Sequence, residues 1–425
     1  MAHDEFALGE SDVAPEREPP RRRPQAWSGP WPWAMVAVVL LVAGVITSPG
    51  GDAPGREARQ EWSARIDAGN HAGLWLVGGA VVTAERNAVV ARSPHVGAVL
   101  WQVPLAEPHC SSDGVRLVCV PSGRGADDGT ITLIDSTGSS TSTRVPGAQL
   151  AGPLGGDLIV AGGTGRGERW LARLAPDGHQ RWRSTLAEPS SAGTSPTFHE
   201  LAVSERAIIW WFGENGSAYP EPGMVEPASG ERMPTLSAAP YTPSLPLAFE
   251  RTLMYLDADA RASEDAPTIM LGGVADSIDE PWLWRWEVDE TPIGVTDDAV
   301  ISTISADRPS DVKNGDPWGY ATIRTRAAEG SQAQESRTTY RSISCPCTWA
   351  GSALVAHGLR ASDLDALQDG DVAFDVVLLD PEHASVAGRH PLAGATWPQP
   401  AMALAADDER AFLLTGGEVV ALSMP

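Results

Sequence analysis

Glycine turns recur at a nearly even interval along this chain, and short runs of alternating apolar and polar residues flank each of them. Gly97, Gly138, Gly178 and Gly230 stand 41, 40 and 52 residues apart. The clearest unit is 157–186. It holds an apolar strand from Leu158 to Ala161, a glycine-rich turn at 162–167 and a second strand from Trp170 to Leu174. A Pro176-Asp177-Gly178 turn and a third strand carrying Trp182 complete it. A period of two marks half-buried antiparallel strands rather than helix. Three such strands cannot bury their own face and need copies of themselves to pack against.

The copies are present, at 74–105, 116–145, 201–236, 253–288, 299–340 and 352–392. In the fifth unit Trp282, Trp284 and Trp286 share one face of the strand WLWRWEV. The chain ends on half a unit, Ala411 to Thr415 and Val419 to Ser423. QEWSARID at 60–67 has the character of the missing Trp-bearing strand. Joining the two removes the exposed sheet edges. The expected fold is therefore all-β, a β-propeller over 60–425 closed by its N- and C-terminal strands, with eight blades or alternatively seven.

Ahead of the repeats, residues 1–30 mix acids, arginines and prolines with too few apolar side chains to offset chain entropy, which predicts a disordered tail. Residues 31–48, WPWAMVAVVLLVAGVITS, carry no charge. Eighteen helical residues reach about 27 Å, enough to cross a bilayer core. Arg21, Arg22 and Arg23 precede the segment, and Trp31 and Trp33 sit at its edge, so the N-terminus is expected on the cytoplasmic side. This predicts an uncleaved signal anchor, with a cleaved signal peptide as the competing reading. Residues 49–59 are a Pro/Gly linker, and the propeller is expected outside the cytoplasm, held at the cell membrane by residues 31–48. The net charge of −24 excludes a nucleic-acid partner, because a phosphate backbone needs a basic stripe.

Three motifs point further. Leu133-Ile134-Asp135-Ser136-Thr137-Gly138 ends a strand in Asp and Gly. Gly178 with Trp182, and Gly97 with Trp101, add a Trp four residues after the Gly. These units resemble the pyrroloquinoline-quinone-like, or quinoprotein-type, repeat, which implies a membrane-anchored bacterial member. In that family the Trp residues stack between neighbouring blades, which implies a structural role for Trp62, Trp101, Trp182 and Trp286. Some members are dehydrogenases that hold the quinone and Ca²⁺ at the ring centre, with a disulfide between adjacent cysteines packed on the quinone. Others, such as a bacterial envelope assembly lipoprotein, use the propeller only as an interaction surface. Here Cys345 and Cys347 are separated by Pro346.

The remaining candidates are few. Cys110 and Cys119 flank SSDGVRLV, a hairpin turning at Asp113-Gly114, and in an exported domain they are expected to form a disulfide. A bridge between Cys345 and Cys347 would be strained and easily reduced. Asp363, Asp365, Asp369 and Asp371 do not follow an EF-hand order, because Leu367 occupies a ligand position. His199-Glu200 lacks the second His of a zincin. With no catalytic constellation, the expectation is a non-enzymatic interaction or scaffold module at the cell envelope, with an unidentified envelope protein as partner and no cofactor. The first alternative is a dehydrogenase using pyrroloquinoline quinone and calcium. The second is a sensor or glycan-binding module using Trp210, Trp211 and Trp318.

Overall fold

The computed structural model describes residues 56–122, 129–163, 168–187, 197–205, 207–213, 221–232, 247–249, 252–257, 270–275, 282–286, 290–296, 299–304, 320–327, 333–360, 373–392 and 403–424. The chain divides into two compact units, Met1–Gly51 and Asp52–Pro425, and all described residues lie in the second. The expected tail and membrane segment (1–30 and 31–48) lie outside the described residues. Among the described residues no helix is long and apolar enough to cross a membrane.

The described strands form eight sheets. Sheet 1 comprises Gly73–Val77, Ala80–Glu85, Ala88–Arg92 and Val99–Pro104. Sheet 2 comprises Pro108–Ser112, Arg116–Pro121, Thr130–Asp135 and Ser140–Arg144. Sheet 3 comprises Ala148–Leu154, Asp157–Gly163, Arg169–Leu174 and Gln180–Ala187. Thr197–Val203, Ile208–Gly213 and Glu221–Val225 are the described strands of sheet 4. Sheet 5 holds Leu247–Phe249, Thr252–Asp257, Met270–Ala275 and Trp282–Trp286. Sheet 6 holds Glu290–Val295, Ala299–Ile304, Thr322–Ala327 and Ala333–Arg337. Sheet 7 holds Ser342–Ala350, Ala353–Arg360, Ala373–Asp380 and Ser385–Leu392. Sheet 8 takes Ala403–Ala406, Arg410–Thr415 and Glu418–Ser423 from the C-terminus, and Arg59–Arg65 lies antiparallel to its third strand.

Alternation along the strands decides which sheet meets which. In sheet 1, Val82 and Val89 pack with Leu117 and Ile134 of sheet 2, whereas Val81 points the other way, to Phe412 and Leu414 of sheet 8. The same two-sided burial recurs at the seams between sheets 2 and 3, 3 and 4, 6 and 7, and 7 and 8. First strands contact each other from sheet 6 through 7, 8, 1, 2 and 3 to sheet 4. Sheets packed face to face with their first strands adjacent make a β-propeller, in which no sheet stands as an open layer.

Two features differ from the reading of the sequence. The units read at 116–145, 157–186 and 352–392 are each preceded by a further strand, Pro108–Ser112, Ala148–Leu154 and Ser342–Ala350, and Ala403–Ala406 precedes the C-terminal half unit. The linker expected over 49–59 is already paired from Arg56. Arg56–Glu57 runs parallel to the outer strand of sheet 7, because that edge offers unpaired backbone groups.

Candidate functional site

The turns that close each sheet are built against the neighbouring sheet. In the third-to-fourth-strand turn of sheet 2, Asp135 Oδ1 accepts bonds from the Thr137 and Ser139 amides and from Thr137 Oγ1. The hydrogen bonds from Thr137 hold its carboxyl below the usual carboxylate range. Gly138 then adopts φ +85°, and the Trp101 ring of sheet 1 lies where a Cβ would be, 2.7 Å away. Trp101 Nε1 donates to Ser136 O at 3.0 Å. Trp62 makes the same contact with sheet 1, donating to Pro94 O at 2.8 Å with its ring on Gly97. Trp182 repeats it with sheet 4, donating to Pro227 O at 3.0 Å with its ring on Gly230. Between sheets 2 and 3 the pattern lapses: Gly178 meets Thr143 instead, at 3.6 Å. Trp286 pairs through its backbone with Met270.

Buried charge is held in closed groups within the sheets. Glu290, on the first strand of sheet 6, is 1 % exposed. It accepts from Ser302 Oγ at 2.5 Å, from Arg324 Nη1 at 2.9 Å and from Arg326 Nη2 at 2.9 Å. Arg324 continues to Glu335 at 2.6 Å, so one polar ladder crosses all four strands. In sheet 7 the buried Asp375 accepts from Tyr340 Oη at 2.9 Å and from Arg360 Nη2 at 2.9 Å. Burial, then the Asp375 charge, push the Tyr340 phenol well above its ordinary range. Burial also raises the Asp157 carboxyl, but its bonds to Arg181 and Arg173 outweigh this and leave it below the usual range.

Two histidines titrate far from their ordinary value. His109 stacks on His71 with ring centroids 4.6 Å apart, and burial, then the His71 charge, lower it to about 4. His357 is buried in the second strand of sheet 7 and lowered by burial to about 4. Among the described residues neither of its ring nitrogens has a hydrogen-bond partner.

Of the Trp residues considered for a ligand surface, Trp210 is 3 % exposed and packs with Ile208, Phe198 and Leu171, so its indole belongs to the core between sheets 3 and 4. Trp211 pairs through its backbone with Glu200 and Pro222. Trp318 lies outside the described residues, as does the Asp363–Asp371 cluster. Among the described residues no three His, Cys, Asp or Glu side chains gather where they could hold a metal ion. The buried carboxylates of sheets 6 and 7 already face arginines and Tyr340, and this donor set does not fit a calcium–quinone centre.

One end of the molecule does present a surface. The turn joining strands one and two of each sheet lies at the same end as the turn joining strands three and four. At that end Gly78 N donates to Gly114 O at 2.8 Å, and Arg116 guanidinium nitrogens reach the Gly155 and Gly156 carbonyls of sheet 3. Val96, Val99, Leu100 and Val115 stand on or beside these turns and are 54–70 % exposed. Sequence patterning missed them because Val99 and Leu100 read as the apolar start of the Trp101 strand, and Val96 and Val115 are single residues beside glycines.

Cys110 and Cys119 sit directly opposite each other in their hairpin and are bonded, as expected; Cys345 and Cys347 are bonded too. Fold and bonding define a disulfide-bearing, all-β protein of the β-propeller class. No protein-family model matches the chain, and no curated protein does. Solved structures of similar outline include Hsv2 of Kluyvelomyces marxianus, at 10% identity and TM-score 0.40, covering 71% of this chain and 86% of that one. The tricorn protease matches at 11% identity and TM-score 0.44, over 86% of this chain and 36% of that one. The WD40 domain of SCAP from fission yeast matches at 10% identity and TM-score 0.34, over 81% and 82%. Likenesses this distant carry no functional argument.

Proposed function

We propose that the chain is an eight-bladed, quinoprotein-like propeller that acts as a non-enzymatic protein-interaction module, anchored by residues 31–48 and working outside the cytoplasm at the cell envelope. The observation that carries the reading is the exposure of Val96, Val99, Leu100 and Val115 at one end of sheets 1 and 2. The Trp62–Gly97 contact fixes the turn that bears Val96, and Asp113 Oδ1 accepts from the Val115 amide in the other. Exposed apolar side chains on a rigid turn surface suit a protein partner. The anchor reading rests on the uncharged stretch 31–48 and the arginines before it. The blade count rests on the eight sheets. The glycan-binding alternative loses Trp210 to the core, and the dehydrogenase alternative finds the buried carboxylates of sheets 6 and 7 already held by arginines and Tyr340.

The test is a photo-crosslinking amino acid placed at Val96 or Val115 of the full chain in its native membrane, with Asn87, on the opposite end of sheet 1, as control. A discrete protein adduct from 96 and 115 and none from 87 is expected. Equal labelling from all three, together with a rise in melting temperature and dye reduction on adding pyrroloquinoline quinone and Ca²⁺, would replace this reading with the dehydrogenase.

A further inference from the structure

The first strand of sheet 7 leaves its ladder for three residues. Ser344 pairs with His357 and Thr348 with Val355, so Cys345, Pro346 and Cys347 together oppose the single residue Ala356. The bridge closes across that bulge with its Cα atoms 4.5 Å apart, and both cysteines are only partly buried. The neighbouring first strand, in sheet 6, is bulged as well: Pro292 pairs with Ser302 and Gly294 with Ile301, leaving Ile293 over. The carbonyl of that extra residue lies 3.6 Å from Cys345 Sγ.

The other disulfide is built differently. Cys110 and Cys119 face each other as a ladder pair, and they are 8% and 0% exposed. An incoming thiolate must approach a sulfur from behind the S–S bond, so a bridge sealed between sheets is reached only when the sheets open.

We propose that Cys345–Cys347 is a thiol–disulfide exchange site that oxidises thiols, whereas Cys110–Cys119 is inert. In the oxidised state the Ile293 carbonyl faces a sulfur with no hydrogen to give. Reduction places an S–H there, so the dithiol form gains a hydrogen bond that the disulfide lacks, and stabilising the reduced form makes a disulfide a stronger oxidant. The same bond assigns the two sulfurs. A thiolate attacks Cys347 Sγ and forms a mixed disulfide. The Cys345–Cys347 bond breaks, and the Cys345 thiolate leaves, takes up the proton released by the attacking thiol and keeps it as an S–H that hydrogen-bonds to Ile293 O. A second thiolate then attacks the outer sulfur of the mixed disulfide and frees Cys347. Two thiols become one disulfide, and the protein bridge takes up the two electrons. The reductant is a small thiol or a protein dithiol, and a disulfide of the same class reverses the step. The site is independent of the interaction role proposed above.

The full chain is equilibrated in glutathione buffers of graded ratio and quenched with an alkylating reagent. Each cysteine peptide is read by mass spectrometry, and near-ultraviolet circular dichroism follows the fold. Cys345 and Cys347 should become alkylated in buffers roughly tenfold less reducing than Cys110 and Cys119 require, with the native spectrum intact. Joint reduction of both pairs, or reduction of Cys345–Cys347 only as the spectrum is lost, would overturn the proposal. A second measurement does not depend on the reduced form staying folded. Cys345→Ser exposed to oxidised glutathione should capture one glutathione at Cys347 faster than Cys347→Ser captures it at Cys345, and equal or reversed rates would refute the assignment of the two sulfurs.

Discussion

Trp101 of sheet 1 lies on Gly138 of sheet 2 so closely that a Cβ added at 138 would stand 2.7 Å from the indole Cγ. The glycine serves two needs at once, a φ of +85° and room for a neighbour's ring. Trp62 with Gly97 and Trp182 with Gly230 repeat the relationship, so each Trp ties one sheet to the turn of the next.

Gly178 separates those two needs. It has φ +83°, but the atom nearest its missing Cβ is Thr143 Cγ2, at an ordinary contact distance of 3.6 Å. Gly178→Ala should therefore cost only the left-handed strain, about 1 kcal/mol. Gly138→Ala adds a clash with the ring and should cost about 3 kcal/mol. Denaturant midpoints of the two variants check this, and equal shifts would mean the ring yields.

Trp62 occupies the strand that completes sheet 8 from the other end of the sequence. Its ring lies on Gly97 and 6.2 Å from Phe412, and its Nε1 bonds to Pro94 O. Trp62→Ala should lose about 3 kcal/mol. Trp62→Phe keeps an apolar ring on the glycine and forfeits the hydrogen bond, at about 1 kcal/mol. Urea titrations with a common baseline slope distinguish the two.

The fully buried Glu290 side chain faces two arginines, so Glu290→Gln should destabilise by about 3 kcal/mol or more, because the guanidinium charges stay behind. Glu335, at the outer end of the same ladder, has a side chain 47% exposed. Glu335→Gln should cost less than about 1 kcal/mol. A thermal shift as large for Glu335→Gln as for Glu290→Gln would contradict this account of the ladder.

The sequence made the repeats readable where a glycine turn and a Trp lie four residues apart, since both are written in neighbouring letters. The seams were legible only as a family habit. Nothing in Gly138 itself names Trp101 as the ring above it, because that contact exists only between sheets. Glu290, Arg324 and Arg326 carry no local sequence signal that sets them apart, and their meeting depends on register across the strands of sheet 6. Trp210, singled out in the sequence for ligand contact, lies among Ile208 and Leu171 instead, since the side chains of one strand divide between two seams.

Acid should weaken the fold through His357. Its ordinary value is about 6.5, and burial lowers it to about 4 in the folded protein. Between those values the unfolded chain binds a proton that the folded chain refuses, so stability is retained above about 6.5 and lost as pH falls toward about 4. The full effect of the group is on the order of 3 kcal/mol. His109, lowered to about 4 by burial and by His71, adds to the loss in the same direction. Melting temperature measured from pH 7 to pH 4 should therefore fall, and His357→Leu should flatten the decline. A variant whose profile overlays that of the parent across this window would show that His357 does not carry the loss.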